Sequence, residues 1–163
     1  MTADRKPFRV LFVCMGNICR SPAGDIVFHQ MVADAGLAGR IAIDSAGTHG
    51  YHTGAPPDHR MAAALRDRGY PIRGEARRVT AKDLDEFDLI LAMDADNESE
   101  LFSLSTPSNR RKIRRFTEFC SQHRLNEVPD PYYGGPQGFE EVADIIEDGC
   151  QGLLDFLRPS LPA

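Results

Sequence analysis

Val10, Leu11, Phe12 and Val13 form a continuous apolar run that follows polar residues and ends at Cys14. Four β-favouring residues with no polar alternate predict a strand buried on both faces, as in a parallel sheet. Beyond it, Ser21 suits an N-cap and Pro22 the first helical position. Val27, Met31 and Ala35 then recur at helical spacing up to a terminating Gly36. The opening unit is therefore strand, loop, helix. Ile41 to Ala46 predicts a second strand, and Met61 to Leu65 lie on a helix ending near Gly69. Phe87 to Met93 predicts a third strand ahead of a helical segment from Asp94 to Leu104. Ile113 to Phe119 carries the weakest strand signal, because Arg114 and Arg115 interrupt it. A last helix is predicted from Phe139 to Leu157, with Val142, Ile145, Ile146, Cys150 and Leu153 on its apolar face and Pro159 beyond its end. This alternation predicts a doubly wound α/β sheet. The stretch from Cys120 to Gly138 is long and rich in proline and glycine, and a loop of that length in a compact domain is usually functional.

The chain has 163 residues, which predicts one domain over 1–163. With 42% hydrophobic and 26% charged residues it has the balance of a soluble globular protein. Lys and Arg total 19 and Asp and Glu 24, so the net charge of -5 argues against nucleic acid or an anionic membrane as partner. That acidity is uneven, since Arg5, Lys6, Arg9 and Arg20 are the only charged residues from Arg5 to Gly24. Four cysteines, Cys14, Cys19, Cys120 and Cys150, are too few and too unevenly spaced for a disulfide framework, which points to a reducing compartment. The Val10–Val13 run is too short for a signal segment or a membrane span. A cytoplasmic protein without membrane insertion is expected.

The chemistry concentrates after the first strand, in Cys14-Met15-Gly16-Asn17-Ile18-Cys19-Arg20-Ser21-Pro22. This is Cys-x5-Arg between a strand and a helix. A loop of that length can turn the backbone N–H groups of Met15, Gly16, Asn17, Ile18, Cys19, Arg20 and Ser21 inward as an anion nest, to which the helix N-terminus adds positive charge. Arg20 can grip two phosphate oxygens, and Gly16 relaxes the backbone where a side chain would obstruct it. Nearby donors favour the thiolate of Cys14, a nucleophile facing a bound phosphate. The nucleotide-binding glycine loop is a rival for this segment, but G-x-x-x-x-G-K-[ST] is absent.

Val13 to Pro22 resembles the signature loop of the low-molecular-weight protein tyrosine phosphatases. The similarity extends to Asp44-Ser45-Ala46-Gly47-Thr48, Ala92-Met93-Asp94 and Pro129-Asp130-Pro131-Tyr132-Tyr133-Gly134-Gly135, so it spans most of the chain. The resemblance implies a three-layer α/β sandwich with a central four-stranded parallel sheet and helices on both faces. It implies phosphotyrosine hydrolysis through a cysteinyl-phosphate intermediate, with no metal or other cofactor. Asp130 becomes the general acid, and chemistry agrees, because a phenolate leaves slowly unless a carboxylic acid protonates it. Pro131 holds Asp130 extended, though an Asp-Pro turn without chemistry is the alternative. Ser21 would donate to the sulfur of Cys14, and Asn17 would hydrogen-bond with Ser45 to shape the loop, although asparagine suits tight turns unaided.

Tyr51, Tyr132 and Tyr133 are candidate walls of a slot deep enough for phosphotyrosine, though loop tyrosines are commonly just exposed. The two adjacent tyrosines are phosphorylation targets in the family. Cys19, across the loop from Cys14, could form a disulfide with an oxidised Cys14, which the resemblance supports, or it could be a small buried residue. Cys120 and Cys150 read as core residues. His49, His52, Asp58 and His59 cluster in sequence but lack paired metal-ligand spacing. Arg110, Arg111, Lys112, Arg114 and Arg115 read as a solvated basic face. After Pro22 the family often has Ala-Glu where this chain has Gly24 and Asp25, and glycine there should weaken the helix. Expected partners are phosphotyrosine proteins, a bacterial tyrosine kinase among them by resemblance, with phosphate and other tetrahedral oxyanions as inhibitors. The rival functions are arsenate reduction, which needs relay cysteines, arginine dephosphorylation, where threonine stands in place of Ile18, and a silent phosphotyrosine-binding module, which would lose Cys14 or Asp130.

Overall fold

The computed structural model describes residues 6–132 and 135–161, so Tyr133 lies outside the described residues. The first apolar run becomes strand β1 (Phe8–Cys14), flanked by β2 (Ile41–Gly47) on one side and by β3 (Leu89–Ala92) and then β4 (Ile113–Arg115) on the other. All three pairings are parallel. Successive strand side chains point to opposite faces, and β1 shows both faces filled. Val10, Phe12 and Cys14 join one core with α1 (Arg20–Asp34) and α5 (Pro136–Leu157). Leu11 and Val13 join a second core with Leu84 and Leu101, which come from α3 (Ala81–Glu86) and α4 (Ala95–Leu104). A further helix, α2 (His59–Asp67), packs beside α5. The three-layer sandwich with a four-stranded parallel sheet is thus the observed architecture. Val10 to Val13 are fully buried, and each such side chain contributes roughly 1.5–3 kcal/mol, so β1 is the spine of both cores.

Several boundaries move for identifiable reasons. Helix α1 starts at Arg20, with Cys19 as an N-cap that makes no side-chain bond, so Ser21 lies inside the first turn instead of capping it. Pro22 therefore occupies the third helical position, where an N–H still has no intrahelical partner. The third strand is shorter than its apolar run, because Phe87 closes α3. Helix α3 itself escaped the periodicity, although Thr80 and Asp83 form a capping box that marks its start. The fourth strand yields after three residues to a 3-10 turn, Phe116–Phe119. Helix α5 begins at Pro136, one turn ahead of its first buried residue, Phe139.

The basic run is not a uniform solvated face. Lys112 donates to the carbonyls of Leu84 and Asp85, Arg114 lies over Phe119 and Phe156, and Arg115 pairs with Glu98 and the Asn126 carbonyl. Gly24 likewise has a packing reason. A Cβ there would stand 2.6 Å from the Phe12 ring, so glycine lets α1 press onto β1. Cys150 is buried, while Cys120 is only partly so. Among the described residues no helix is long and apolar enough to cross a membrane.

The segment after Cys120 is tied down at several points. The backbone N–H groups of Ser121, Gln122 and His123 all donate to the carboxylate of Asp148 on α5. Val128 N–H donates to the Met93 carbonyl, and Glu127 accepts from Ala95 N–H at the head of α4. These bonds fix the approach to Asp130. Burial opposes the charges on Asp83 and Asp148, but Arg77 and Thr80 for the first, and the 121–123 N–H groups with His123 for the second, hold both below the ordinary 3.8. A carboxylate depressed in the folded state contributes stability that is present above its unfolded value and lost as pH falls through its folded one. Unfolding midpoints in urea should therefore fall as pH drops below about 4, as expected for depressed carboxylates. Asp148→Asn should lower stability near neutral pH by about 1–3 kcal/mol and flatten part of that acid dependence.

Candidate active site

Cys14 ends β1, the loop Met15 to Cys19 follows, and α1 opens at Arg20. This places the loop beyond the carboxyl ends of the strands, where β1 has β2 on one side and β3 on the other, the usual crevice of an open α/β sheet. The loop's carbonyls are occupied from outside. Those of Cys14, Met15, Ile18 and Cys19 accept from the N–H groups of Thr48, His49, Asp58 and Ala23. Among the described residues no peptide bond is cis, so each of these carbonyls is opposed by the following N–H. The N–H groups of Met15, Gly16, Cys19 and Arg20 consequently turn toward the loop's interior. That is an anion nest made by satisfying the opposite edge of each peptide.

The left-handed residue in this loop is Asn17, with φ of 57°, and not Gly16. At Gly16 the constraint is one of space, since a Cβ there would crowd the His52 ring at 3.0 Å and oblige it to shift. Asn17 Nδ2 donates to Ser21 Oγ at 2.8 Å and to Ser45 Oγ at 3.0 Å, while its Oδ1 accepts from Arg77 N–H at 3.0 Å. The fixed backbone donor sets which way the amide faces. With Asn17 donating to it, Ser21 Oγ has its own hydrogen for the sulfur of Cys14 at 3.0 Å or the Ala46 carbonyl at 3.4 Å. Gly47 permits this close packing, because a Cβ there would lie 2.7 Å from the Met15 carbonyl oxygen.

Arg20 is 3% exposed and held at one end. Its Nη1 donates to Asp94 Oδ2 at 2.6 Å and to the Val128 carbonyl at 3.0 Å, and its Nη2 lies 3.6 Å from Asp130 Oδ2. Burial works against the guanidinium charge, but Cys14 and Asp94 outweigh it and raise the pKa further. The cation is secure. Asp94 uses its other oxygen to cap α4 through Asn97 N–H. Asp130 stands at the rim, its Oδ1 accepting from Tyr132 N–H at 3.0 Å.

A cavity of about 280 Å³ opens over the loop, lined by Cys14 to Gly16, Ile18 to Arg20, Tyr51, His52, Asp130 and Tyr132. The structure thus brings together the proposed nucleophile, cation, acid and two of the three tyrosines. Tyr51 is 81% exposed but stacks flat on His49, with ring centroids 5.3 Å apart. Asn17 and Ser45 lie behind the loop as a support. Cys19 faces the same cavity, and burial first, with Asp58 next, pushes its thiol far above the ordinary range. A larger hollow of about 540 Å³ shares Arg20 and Asp130 with that cavity, but Asp94, Asp96, Glu127, Glu141 and Asp144 among its walls would repel an anion.

Three participants escaped the sequence reading. Asp94 was read only as a helix start and as the end of the Ala92-Met93-Asp94 likeness, with no role assigned, His52 only as a weak metal candidate, and Arg60, whose guanidinium lies over the Tyr132 ring, not at all. The first had a usable signal, since an N-cap aspartate directly after a parallel strand faces the crevice. The other two depend on tertiary placement.

The chemistry available is capture of a tetrahedral oxyanion above a thiol, with a hydroxyl on the sulfur and a carboxyl at the mouth. Several known proteins are similar to this chain. The family described as low molecular weight phosphotyrosine protein phosphatase matches residues 9–161. The Bacillus subtilis low molecular weight protein-tyrosine-phosphatase YfkJ is 46% identical over 150 residues, covering 91% of this chain and 95% of that protein. A protein tyrosine phosphatase structure from Entamoeba histolytica, with Hepes in its active site, superposes with a TM-score of 0.91 at 42% identity, over 94% of this chain and 98% of that one. A Drosophila arginine phosphatase structure superposes with a TM-score of 0.85 at 31% identity, over 91% and 97%.

Removing the Asn17 amide leaves Arg77 N–H without its acceptor and frees both serines. Asn17→Ala should therefore cost about 2–4 kcal/mol in urea unfolding, at one to three per buried group left unpaired. Inorganic phosphate should also protect the variant less against thermal unfolding, because the loop no longer holds its shape.

Proposed function

This chain belongs to the low molecular weight phosphotyrosine protein phosphatase family, and from that premise we propose that it acts as one domain over 1–163 to hydrolyse phosphotyrosine in proteins. Cys14 is the nucleophile, Arg20 the phosphate clamp and Asp130 the acid. The observation that carries the reading is the meeting of Cys14 Sγ, Ser21 Oγ and buried Arg20 at one phosphate-sized nest, with Asp130 3.6 Å from the guanidinium at its mouth.

In the first step the Cys14 thiolate attacks phosphorus in line, forming the S–P bond as the bond to the aryl oxygen breaks. Asp130 gives that oxygen a proton, and tyrosine departs. The loop N–H groups and Arg20 hold the equatorial oxygens as charge develops on them. In the second step Asp130 takes a proton from water, the water oxygen attacks phosphorus and the S–P bond breaks. Ser21 donates its hydrogen bond to the departing sulfur. The products are tyrosine and phosphate, and the enzyme is restored without a metal. Phosphate and similar oxyanions inhibit by occupying the nest.

The walls favour an aryl ester. Ile18 lines the cavity where the arginine phosphatases carry threonine, and Tyr132 offers an aromatic face. The likeness to a Drosophila arginine phosphatase keeps phosphoarginine as a second substrate class to be measured. Arsenate reduction is disfavoured by the remaining cysteines, because Cys120 donates to the Ile145 carbonyl and Cys150 to that of Gly24, neither lining the cavity. Under oxidation, Cys19 condenses with the sulfenic acid of Cys14, forming a disulfide and releasing water, and thiols of a reducing cytoplasm restore it.

The protein should hydrolyse p-nitrophenyl phosphate at full rate in EDTA. Cys14→Ser should lose at least about a thousandfold in kcat, the scale of nucleophile removal. Asp130→Asn should lose about a hundredfold to ten-thousandfold on phosphotyrosine peptides. Phosphotyrosine, phosphoarginine and phosphoserine peptides assayed side by side should rank the first highest; preference for phosphoarginine would replace the substrate assignment, and a fully active Cys14→Ser would end the mechanism.

A further inference from the structure

Arg60 is the second residue of α2, in its first turn. Its surroundings are unusual. Asp58, the N-cap of that helix, accepts from Arg60 Nε at 3.2 Å and from Nη2 at 3.0 Å, so one flat edge of the guanidinium is gripped twice. The plane of the group then meets two aromatic rings. Its central carbon lies 5.3 Å from the centroid of Tyr132 and 4.7 Å from that of Phe139. Tyr132 is two residues from Asp130 and donates its N–H to that carboxyl, and Phe139 is a buried residue of α5. Asp58 N–H, in turn, donates to the Ile18 carbonyl in the phosphate loop at 2.8 Å.

These contacts form one chain from the loop that holds phosphate to the segment that carries the acid: Ile18, Asp58, Arg60, Tyr132, Asp130. We propose that Arg60 is a positioning residue that stacks Tyr132 against α5 and thereby sets the distance of the Asp130 carboxyl from the leaving-group oxygen. Proton transfer is acutely sensitive to that distance, and a planar cation gripped along one edge gives two directional constraints where an ammonium gives a point charge. The opposite side of the Asp130 segment is already fixed by Val128 on Met93 and by Glu127 on Ala95. Arg60 supplies the restraint on the Tyr132 side. The inference rests on the assignment of Asp130 as acid and goes beyond it by naming what holds that acid in place.

A misplaced acid has a kinetic signature that a loosened fold lacks. Breaking the bond to a poor leaving group such as phenolate needs the proton, whereas dinitrophenolate departs without help. The test measures kcat/KM, which reports the first chemical step, on phenyl phosphate and 2,4-dinitrophenyl phosphate for the wild type, Arg60→Ala and Arg60→Lys, with inhibition by inorganic phosphate as the readout of the loop. Arg60→Ala should lose about tenfold to a hundredfold on phenyl phosphate and less than about threefold on the dinitrophenyl ester. Its phosphate inhibition should stay within about twofold of wild type, and Arg60→Lys should recover part of the phenyl phosphate loss. Equal losses on both esters, no loss on either, or weakened phosphate inhibition would overturn the proposal, since each places the effect of Arg60 elsewhere. A wild type inert toward both esters would instead defeat the phosphatase reading, and a wild type whose Asp130→Asn variant loses equally on both would defeat the acid assignment on which the proposal stands.

Discussion

Everything at this site depends on peptide groups that face the right way. An anion nest is made of N–H groups left without partners, and unpartnered groups next to a core are costly unless something compensates for them. Here the compensation is applied from behind. The carbonyls of Cys14, Met15, Ile18 and Cys19 are each engaged by a neighbouring N–H, and the trans peptide then turns the following N–H the opposite way. The left-handed Asn17 is the pivot, since its amide reaches Ser21, Ser45 and Arg77 at once. One side chain therefore links the loop to β2, to the first turn of α1 and to the segment preceding α3.

That arrangement explains the uneven legibility of the sequence. The buried strand was legible because four apolar residues in a row have few structural solutions, and the Cys-x5-Arg loop because its residues are adjacent in sequence. Helix α1 was legible in extent but misjudged in its first turn. A serine at the start of a helical pattern ordinarily caps it, yet the hydroxyl of Ser21 is drawn instead to the sulfur of Cys14 and the amide of Asn17. The short helix α3 lacked a periodic stripe and could be recognised only by its capping box. Gly24 looked like a weakness and proved to be the contact that seats α1 on Phe12, a fact that only packing reveals.

The functional residues divide in the same way. Cys14, Arg20 and Asp130 are residue types that the proposed chemistry restricts, so spacing and resemblance could point to them, and the fold gathers all three at one cavity. Asp94, His52 and Arg60 act through where the fold puts them. His52 approaches Gly16 from a loop more than thirty positions away, and Arg60 meets Tyr132 across a gap of 72 residues. Pairings of that range leave no local trace in the chain, and a cluster of histidines and prolines in sequence says little about which ring will face the cavity.

Asp94 has a consequence of another kind. Its two oxygens perform separate tasks, one starting α4 through Asn97 and the other restraining Arg20. An arginine side chain on a surface carries large rotational freedom, which an incoming anion would have to quench. In this protein that freedom is already surrendered when the sheet and α4 assemble, long before any ligand arrives. Under the proposed clamp role of Arg20, affinity for the anion is partly a by-product of folding, and the entropy of recognition belongs to the helix that Asp94 begins.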